Sequence, residues 1–385
     1  MYTGGYQPAG STASPMYTFQ NYQILKPSGI PCLTRYDRYL LTTRDCSIQD
    51  QTTNMKTFNL LCVIMGIILL IAMILKIGMD PLRQNLMLLG WGIIPIIFLE
   101  GLAYIFHTLA WRRCLSEPYR SMPFLRLYWI MMAGFSINYI TPTAGLGGEV
   151  TKSSLLSLNH RSSGAVTGVI IDKLSFAASQ LVSVVFGSLL LLFNANIPKG
   201  VWCFLLIGST VLGMAMITFF IIQRHGKLGA IIRWFATKRI GGQILKKAAD
   251  SINRIDTGLK LFYKERPLDL PFSILWHIAG FSCGILQCWC FLSIVSDNSS
   301  LVVAASIWLL STWLELMAFA IPTNVGVIEA TQLFVFKALN FGAALGLTYG
   351  ITLRIDQLLW SLFGLIIYAI FTITSDQPNK KTVQN

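Results

Sequence analysis

Charged side chains are scarce in this chain. Lys, Arg, Asp and Glu make up 12% of its 385 residues against 54% hydrophobic, and the mean hydropathy is +0.59. A soluble globular domain needs a larger polar surface than that, so the shortage excludes one. Histidine is also rare: His107, His160, His225 and His277 show no ligand-like clustering, which argues against a metal site. The eight cysteines contain no C-x-x-C, and Cys203, Cys283, Cys288 and Cys290 fall in apolar runs, where they act as small hydrophobes. Cys32 and Cys46 could pair, although nothing requires it.

Acids are the minority charge, 17 against 30 Lys and Arg, for a net charge of +13. The excess is not spread as a nucleic-acid binder would spread it. Between Arg224 and Arg266 there are eleven Lys or Arg and three acids, which is the pattern of a positive-inside membrane topology. No nucleic-acid partner is expected.

What the chain does have is long apolar runs. About eight of them lie between Leu60 and Thr374, and they define an all-α, polytopic integral membrane protein. The first run covers about Phe58 to Ile77 and turns at Asp80-Pro81; the second covers Leu86 to Leu109 and ends in Trp111-Arg112-Arg113. Further runs follow at Phe124–Ile140, Ala165–Phe193, Val201–Ile222, Leu270–Val295, Leu301–Ala320 and Ala343–Ile373. Residues 1–54 have no such run and no signal-peptide pattern. They are a poorly structured cytoplasmic leader or, if translation begins at Met55, no part of the protein at all. The expected organisation is a first transmembrane half at 55–222, a basic cytoplasmic linker at 223–268, a second half at 269–374 and a cytoplasmic tail at 375–385. Within the linker, Ile240–Phe262 carries apolar residues at helical spacing. It is read either as a helix on the leaflet surface or as a solvated connector.

Two of the runs are interrupted in the same way. Pro142-Thr143-Ala144-Gly145-Leu146-Gly147-Gly148-Glu149 is echoed 180 residues later by Pro322-Thr323-Asn324-Val325-Gly326-Val327-Ile328-Glu329. In each copy a glutamate stands seven residues after the proline and a threonine, Thr151 or Thr331, two residues after that. Pro and Gly free backbone groups that hydrocarbon cannot satisfy, so the copies predict broken helices in two re-entrant pairs. Sidedness inferred from the basic residues makes the two pairs open from opposite faces, an inverted-topology internal repeat. Asp172-Lys173 follows the first glutamate by 23 residues and Asp356 follows the second by 27, which repeats the pattern once more.

Ionisable residues in apolar runs are the candidate functional groups: Glu100, Glu149, Lys152, Asp172, Lys173, Glu315, Glu329, Arg354 and Asp356. A charge in hydrocarbon costs about 3 kcal/mol on insertion scales, so such groups face protein or a wet cavity. Glu149 and Glu329 belong to the first turns of short helical arms, where the helix dipole favours a negative charge. They are read either as plain first-turn charges or as parts of a site. Lys152, three residues after Glu149, can pair with it on one face. Lys173 and Arg354 are candidates for a lipid phosphate, or else neutralise the adjacent Asp172 and Asp356. His107 and His277 are packing or cavity residues. Gly145-Leu146-Gly147-Gly148-Glu149 lacks the spacing and the preceding strand of a dinucleotide fingerprint, so no cofactor is expected. No nucleophile constellation is present either, which favours a transporter-like role over a catalytic one.

On these residues the chain resembles the flippase-like transmembrane family of lysylphosphatidylglycerol synthase membrane domains and hopanoid-associated membrane proteins. The resemblance covers about residues 55–373. Pro142, Gly145, Gly147, Gly148, Glu149 and Lys152 match the first signature, and Pro322, Gly326 and Glu329 match the second. Asn138 and Arg354 also sit where the family carries such residues, whereas Lys173 stands where the family has arginine. The resemblance implies movement of an amphipathic lipid (phospholipid, isoprenoid-linked or hopanoid) between leaflets of the bacterial inner membrane. Its headgroup would be anionic, and the path would run along the residues just named together with Asp172, Lys173 and Asp356. Because the chain ends soon after its last run, a stand-alone form without aminoacyl transfer is expected. The alternatives are an accessory protein that binds a lipid-biosynthesis or cell-envelope enzyme, and an integral-membrane transferase.

Overall fold

The structure, a computed structural model, describes residues 68, 71–141, 146–157, 164–194, 199–224, 257–297, 299–318 and 326–375. The leader, most of the basic linker, the tail and the two Pro-Thr segments, with Pro142, Gly145 and Pro322, lie outside the described residues. Every regular element among the described residues is helical.

Helix α1 (Met79–Leu89) passes through a 3-10 turn at Gly90–Gly92 into α2 (Ile93–Cys114). The expected turn at Asp80-Pro81 is instead the first turn of α1, and the break falls at Gly78, whose φ is 92°. The physical reason is positional. A proline in a first turn gives up an N–H that has no helical partner anyway, an aspartate there is favoured by the dipole, and glycine takes the left-handed turn without strain.

The first half continues with α3 (Phe124–Ile140), α4 (Leu146–Ser157), α5 (Gly164–Asn194) and α6 (Lys199–Arg224). The second half repeats the order as α7 (Asp269–Val295), α8 (Leu301–Ala318), α9 (Val327–Ala338) and α10 (Ala343–Ser375). Met79–Cys114, Gly164–Leu189, Asp269–Val295 and Ala343–Thr374 are long and apolar enough to cross a membrane. Helices α4 and α9 are not, at 12 residues each. At 1.5 Å per residue they reach about 18 Å, against roughly 30 Å of hydrocarbon.

Each short helix folds back on the longer helix before it. In the first pair Gly134 of α3 meets Gly148 of α4 so closely that a Cβ on Gly148 would run into the Gly134 carbonyl oxygen. In the second, Ser311 of α8 donates to Gln332 of α9 at 2.9 Å. Gly326 opens α9 in the left-handed conformation, φ 77°.

Helices α2 and α7 occupy the same place in the two halves and pack along each other in opposite directions. Gly92 faces Ile294, the Ile96 carbonyl faces Gln287, His107 faces His277, and Arg113 faces Asp269. Equivalent helices that run antiparallel make the halves inverted copies, the arrangement expected from charge and run length.

Large side chains fill the interior of each half. Trp313, Phe291, Phe336 and Tyr349 form one cluster, and Trp111, Tyr119, Leu127 and Met132 another. Trp91, Phe186 and Ile366 point outward, as lipid-facing residues do. At one end of the bundle Arg113 and Arg120 pair with Asp269, the latter at 2.6 Å, and Arg266 donates to the Leu115 carbonyl at 2.8 Å. The basic end of α2 therefore shares a face with the end of the basic linker. The linker's described helical part, residues 257–265, packs Leu259 and Phe262 against Cys114 and Ile171. These two apolar residues are covered by the bundle, not by lipid or water; Ile240 to Asp256 of the expected amphipathic helix lie outside the described residues.

Candidate functional site

The first short arm carries its charge into the interior. Glu149 lies in the first turn of α4, and one turn on Lys152 is buried against α5. Lys152 Nζ is 2.7 Å from Glu149 Oε2 and 3.4 Å from Asp172 Oδ2, and it also lies 5.3 Å from the centre of a Trp111 ring. Two carboxylates around one ammonium lower the cost of burying all three. Lys173, half exposed, reaches Glu149 Oε1 at 3.4 Å and does not turn to its neighbour Asp172.

The opposite half completes this cluster. His277 of α7 places Nε2 3.3 Å from Asp172 Oδ1, and its Nδ1 lies 2.8 Å from His107 Nδ1. Such a contact between imidazole nitrogens needs one donor and one acceptor. Phe176 packs on both rings, and Phe281 packs on His107 and Phe176. Asn138 of α3 accepts from the Gly148 N–H at the start of α4, which satisfies one of the arm's free donors. Together these groups line a cavity of about 280 Å³, bounded by Glu100, Tyr104, Asn138, Glu149, Lys173 and His277 among others.

The second arm builds a different pair. Glu329, in the first turn of α9 and 1% exposed, receives two N–H groups of Arg354, Nε at 2.8 Å and Nη2 at 3.1 Å. Arg354 Nη1 donates to the Tyr139 hydroxyl at 3.0 Å, so the second half is tied to α3 of the first. Gly350 allows this approach, since a Cβ there would meet Glu329 Cα at 2.8 Å. Asp356 is not part of the pair. Its Oδ2 instead lies 3.2 Å from Gln287 Nε2 of α7. A second cavity, about 230 Å³, is lined by Glu100, His107, Gln287, Glu315, Gln332 and Asp356. It shares Glu100 and His107 with the first.

The residues singled out in the sequence thus fall into separate places. Asn138, Glu149, Lys152, Asp172 and Lys173 surround the first cavity, Gly147 and Gly148 open the arm beside it, Asp356 lines the second cavity, and Glu329 and Arg354 form an ion pair that lines neither. His107 and His277, read as packing or cavity residues, line the first cavity, while Gln287, Tyr139 and Gln332 escaped notice as site residues. Only the i+3 spacing of Gln332 from Glu329, parallel to that of Lys152 from Glu149, marks one of them in the sequence.

Fold and site together define a multi-pass membrane protein built as an inverted repeat, with charged cavities between its halves inside the spanning segments. Residues 59–365 match the family model described as Lysylphosphatidylglycerol synthase TM region. The chain belongs to that family and so is a membrane-lipid-related protein. No curated protein and no solved structure matches it.

Proposed function

We propose that the chain moves an amphipathic lipid with an anionic headgroup between the leaflets of the bacterial inner membrane. The observation that supports this best is the sequence of cavities. An apolar groove of about 290 Å³, lined by Phe186, Gly187, Ile278, Ile285 and Val302, shares Phe281 and Trp308 with the second polar cavity. Phe186 and Val302 are exposed on the outer surface, at 62% and 53%. Acyl or isoprenoid tails would stay in this groove and the bilayer while the headgroup enters the polar cavities, which lowers the desolvation cost of crossing. Lys173 is the half-exposed cation at the first cavity and serves as the first contact for a phosphate; Lys152 and Arg354 are held deeper by their carboxylates.

Lys173 separates this reading from a packing role. Its side chain is 51% exposed, so Lys173→Gln is expected to change folding stability by no more than about 0.5 kcal/mol. In liposomes the same variant is expected to slow leaflet exchange of an anionic phospholipid probe several-fold and to affect a zwitterionic probe less. Equal slowing of both probes would count against phosphate recognition at Lys173.

A further inference from the structure

We infer that Glu100 and Asp356 form a proton-binding site that couples lipid movement to proton flow, a proposal whose coupling half rests on the translocation reading above. The two halves of the protein treat the same carboxylate differently. Asp172 in α5 has Lys152, three residues after Glu149, as its cation. Asp356 in α10 has no such partner, because the residue three after Glu329 is Gln332, whose Oε1 accepts from Ser311. In place of a cation, Asp356 faces a second carboxylate, Glu100 of α2.

Gln287 Nε2 stands between the two, 3.3 Å from Glu100 Oε2 and 3.2 Å from Asp356 Oδ2, and it also lies 2.9 Å from the Ile96 carbonyl. Its two hydrogens meet three acceptors, and the further donor at Glu100 is the Tyr104 hydroxyl, so the groups that hold the two carboxylates are neutral. Asp356 is 1% exposed, lines the cavity, and leaves Oδ1 buried with no hydrogen-bond partner. No ion pair among the described residues reaches Glu100 or Asp356. Two ionised carboxylates bridged by one amide at this depth, without a cation, carry a cost that protonation of either one relieves.

The other groups facing the pair do not supply that charge. Tyr104 and His107 come from α2, Cys283 from α7, Glu315 from α8 and Tyr349 from α10. Arg354, two residues before Asp356 on α10, is engaged by both oxygens of Glu329. A metal ion is a poor substitute, since no cluster of three or more His, Cys, Asp or Glu suited to one exists among the described residues. The pair adjoins the headgroup cavity through Glu100 and His107, which line both. A phosphate entering the first cavity therefore meets the site at its border, where binding of the anion and of the proton favour each other.

The test is infrared difference spectroscopy of the purified full chain at neutral pH, with lipid exchange followed in parallel. Wild type is expected to show the carbonyl stretch of a protonated carboxylic acid in sodium-free buffer. The band should be unchanged by added sodium, and it should be lost in Asp356→Asn combined with Glu100→Gln. In liposomes a pH gradient should speed exchange several-fold in wild type and leave Asp356→Asn insensitive. Absence of the band in wild type, its displacement by sodium, or its loss in Glu315→Gln instead of the double variant would overturn the proton site. A band that behaves as expected beside wild-type exchange no faster than in protein-free liposomes would overturn the coupling and the translocation reading, and leave the proton site standing.

Discussion

Replacing Lys152 with methionine is expected to destabilise the folded protein by about 3–5 kcal/mol, because one buried ammonium holds two buried carboxylates. Lys152 is 5% exposed, Asp172 is 3% exposed, and the Glu149 side chain is 15% exposed, so water replaces little of what is lost. Methionine keeps most of the side chain's length and apolar bulk while removing the ammonium, including its position over the Trp111 ring, so the change reports mainly on the charge. The measurement is reversible unfolding of the purified protein in detergent. Adding Asp172→Asn should recover part of the loss, since it removes one of the two stranded charges and leaves a group that His277 can still reach. A loss below about 1 kcal/mol in the single variant would mean that the cluster is open to water and that its charges are solvated.

The second large effect is expected at Arg354. Arg354→Met strands Glu329, which is 1% exposed, and should cost about 3–5 kcal/mol by the same measurement. Arg354→Lys is the sharper variant. It keeps the charge but cannot reach both Glu329 oxygens and the Tyr139 hydroxyl together, and a loss of about 1–3 kcal/mol follows from the missing hydrogen bonds. Combining Arg354→Met with Glu329→Gln should be less damaging than the arginine change alone. If the double variant instead shows the full sum of the single losses, the two residues are not coupled and the fork is no structural tie.

The architecture was legible in the sequence where composition and spacing are decisive. Apolar runs gave most helices to within a few residues, and Phe124–Ile140 coincides with α3 at both ends. The repeated Pro-Thr and glutamate spacing located both short arms, and the i, i+3 spacing of Glu149 and Lys152 anticipated their ion pair. Neighbouring charges misled, for a geometric reason. Arg354 and Asp356 are two residues apart on one helix and so point to opposite sides, which sends the arginine to Glu329 and the aspartate to Gln287. Lys173 likewise turns from Asp172 to Glu149. Across the halves His277 is 170 residues from His107, and Gln287 is 191 residues from Ile96. No local pattern records such a contact; it follows only once the two inverted halves are packed.

Leaflet exchange of fluorescent phospholipid and isoprenoid-phosphate probes, compared between wild type and the Glu149→Gln, Glu329→Gln double variant at equal reconstitution, tests the central claim most directly. Glutamine keeps the size and an acceptor oxygen at both arms and removes only the repeated charge. Wild type should exchange at least one probe class faster than protein-free liposomes, and a folded double variant should lose most of that gain. Equal exchange by the two proteins would contradict a path through the repeated site. Wild-type rates no higher than those of bare liposomes, for every class of lipid tried, would contradict translocation itself and favour the accessory role.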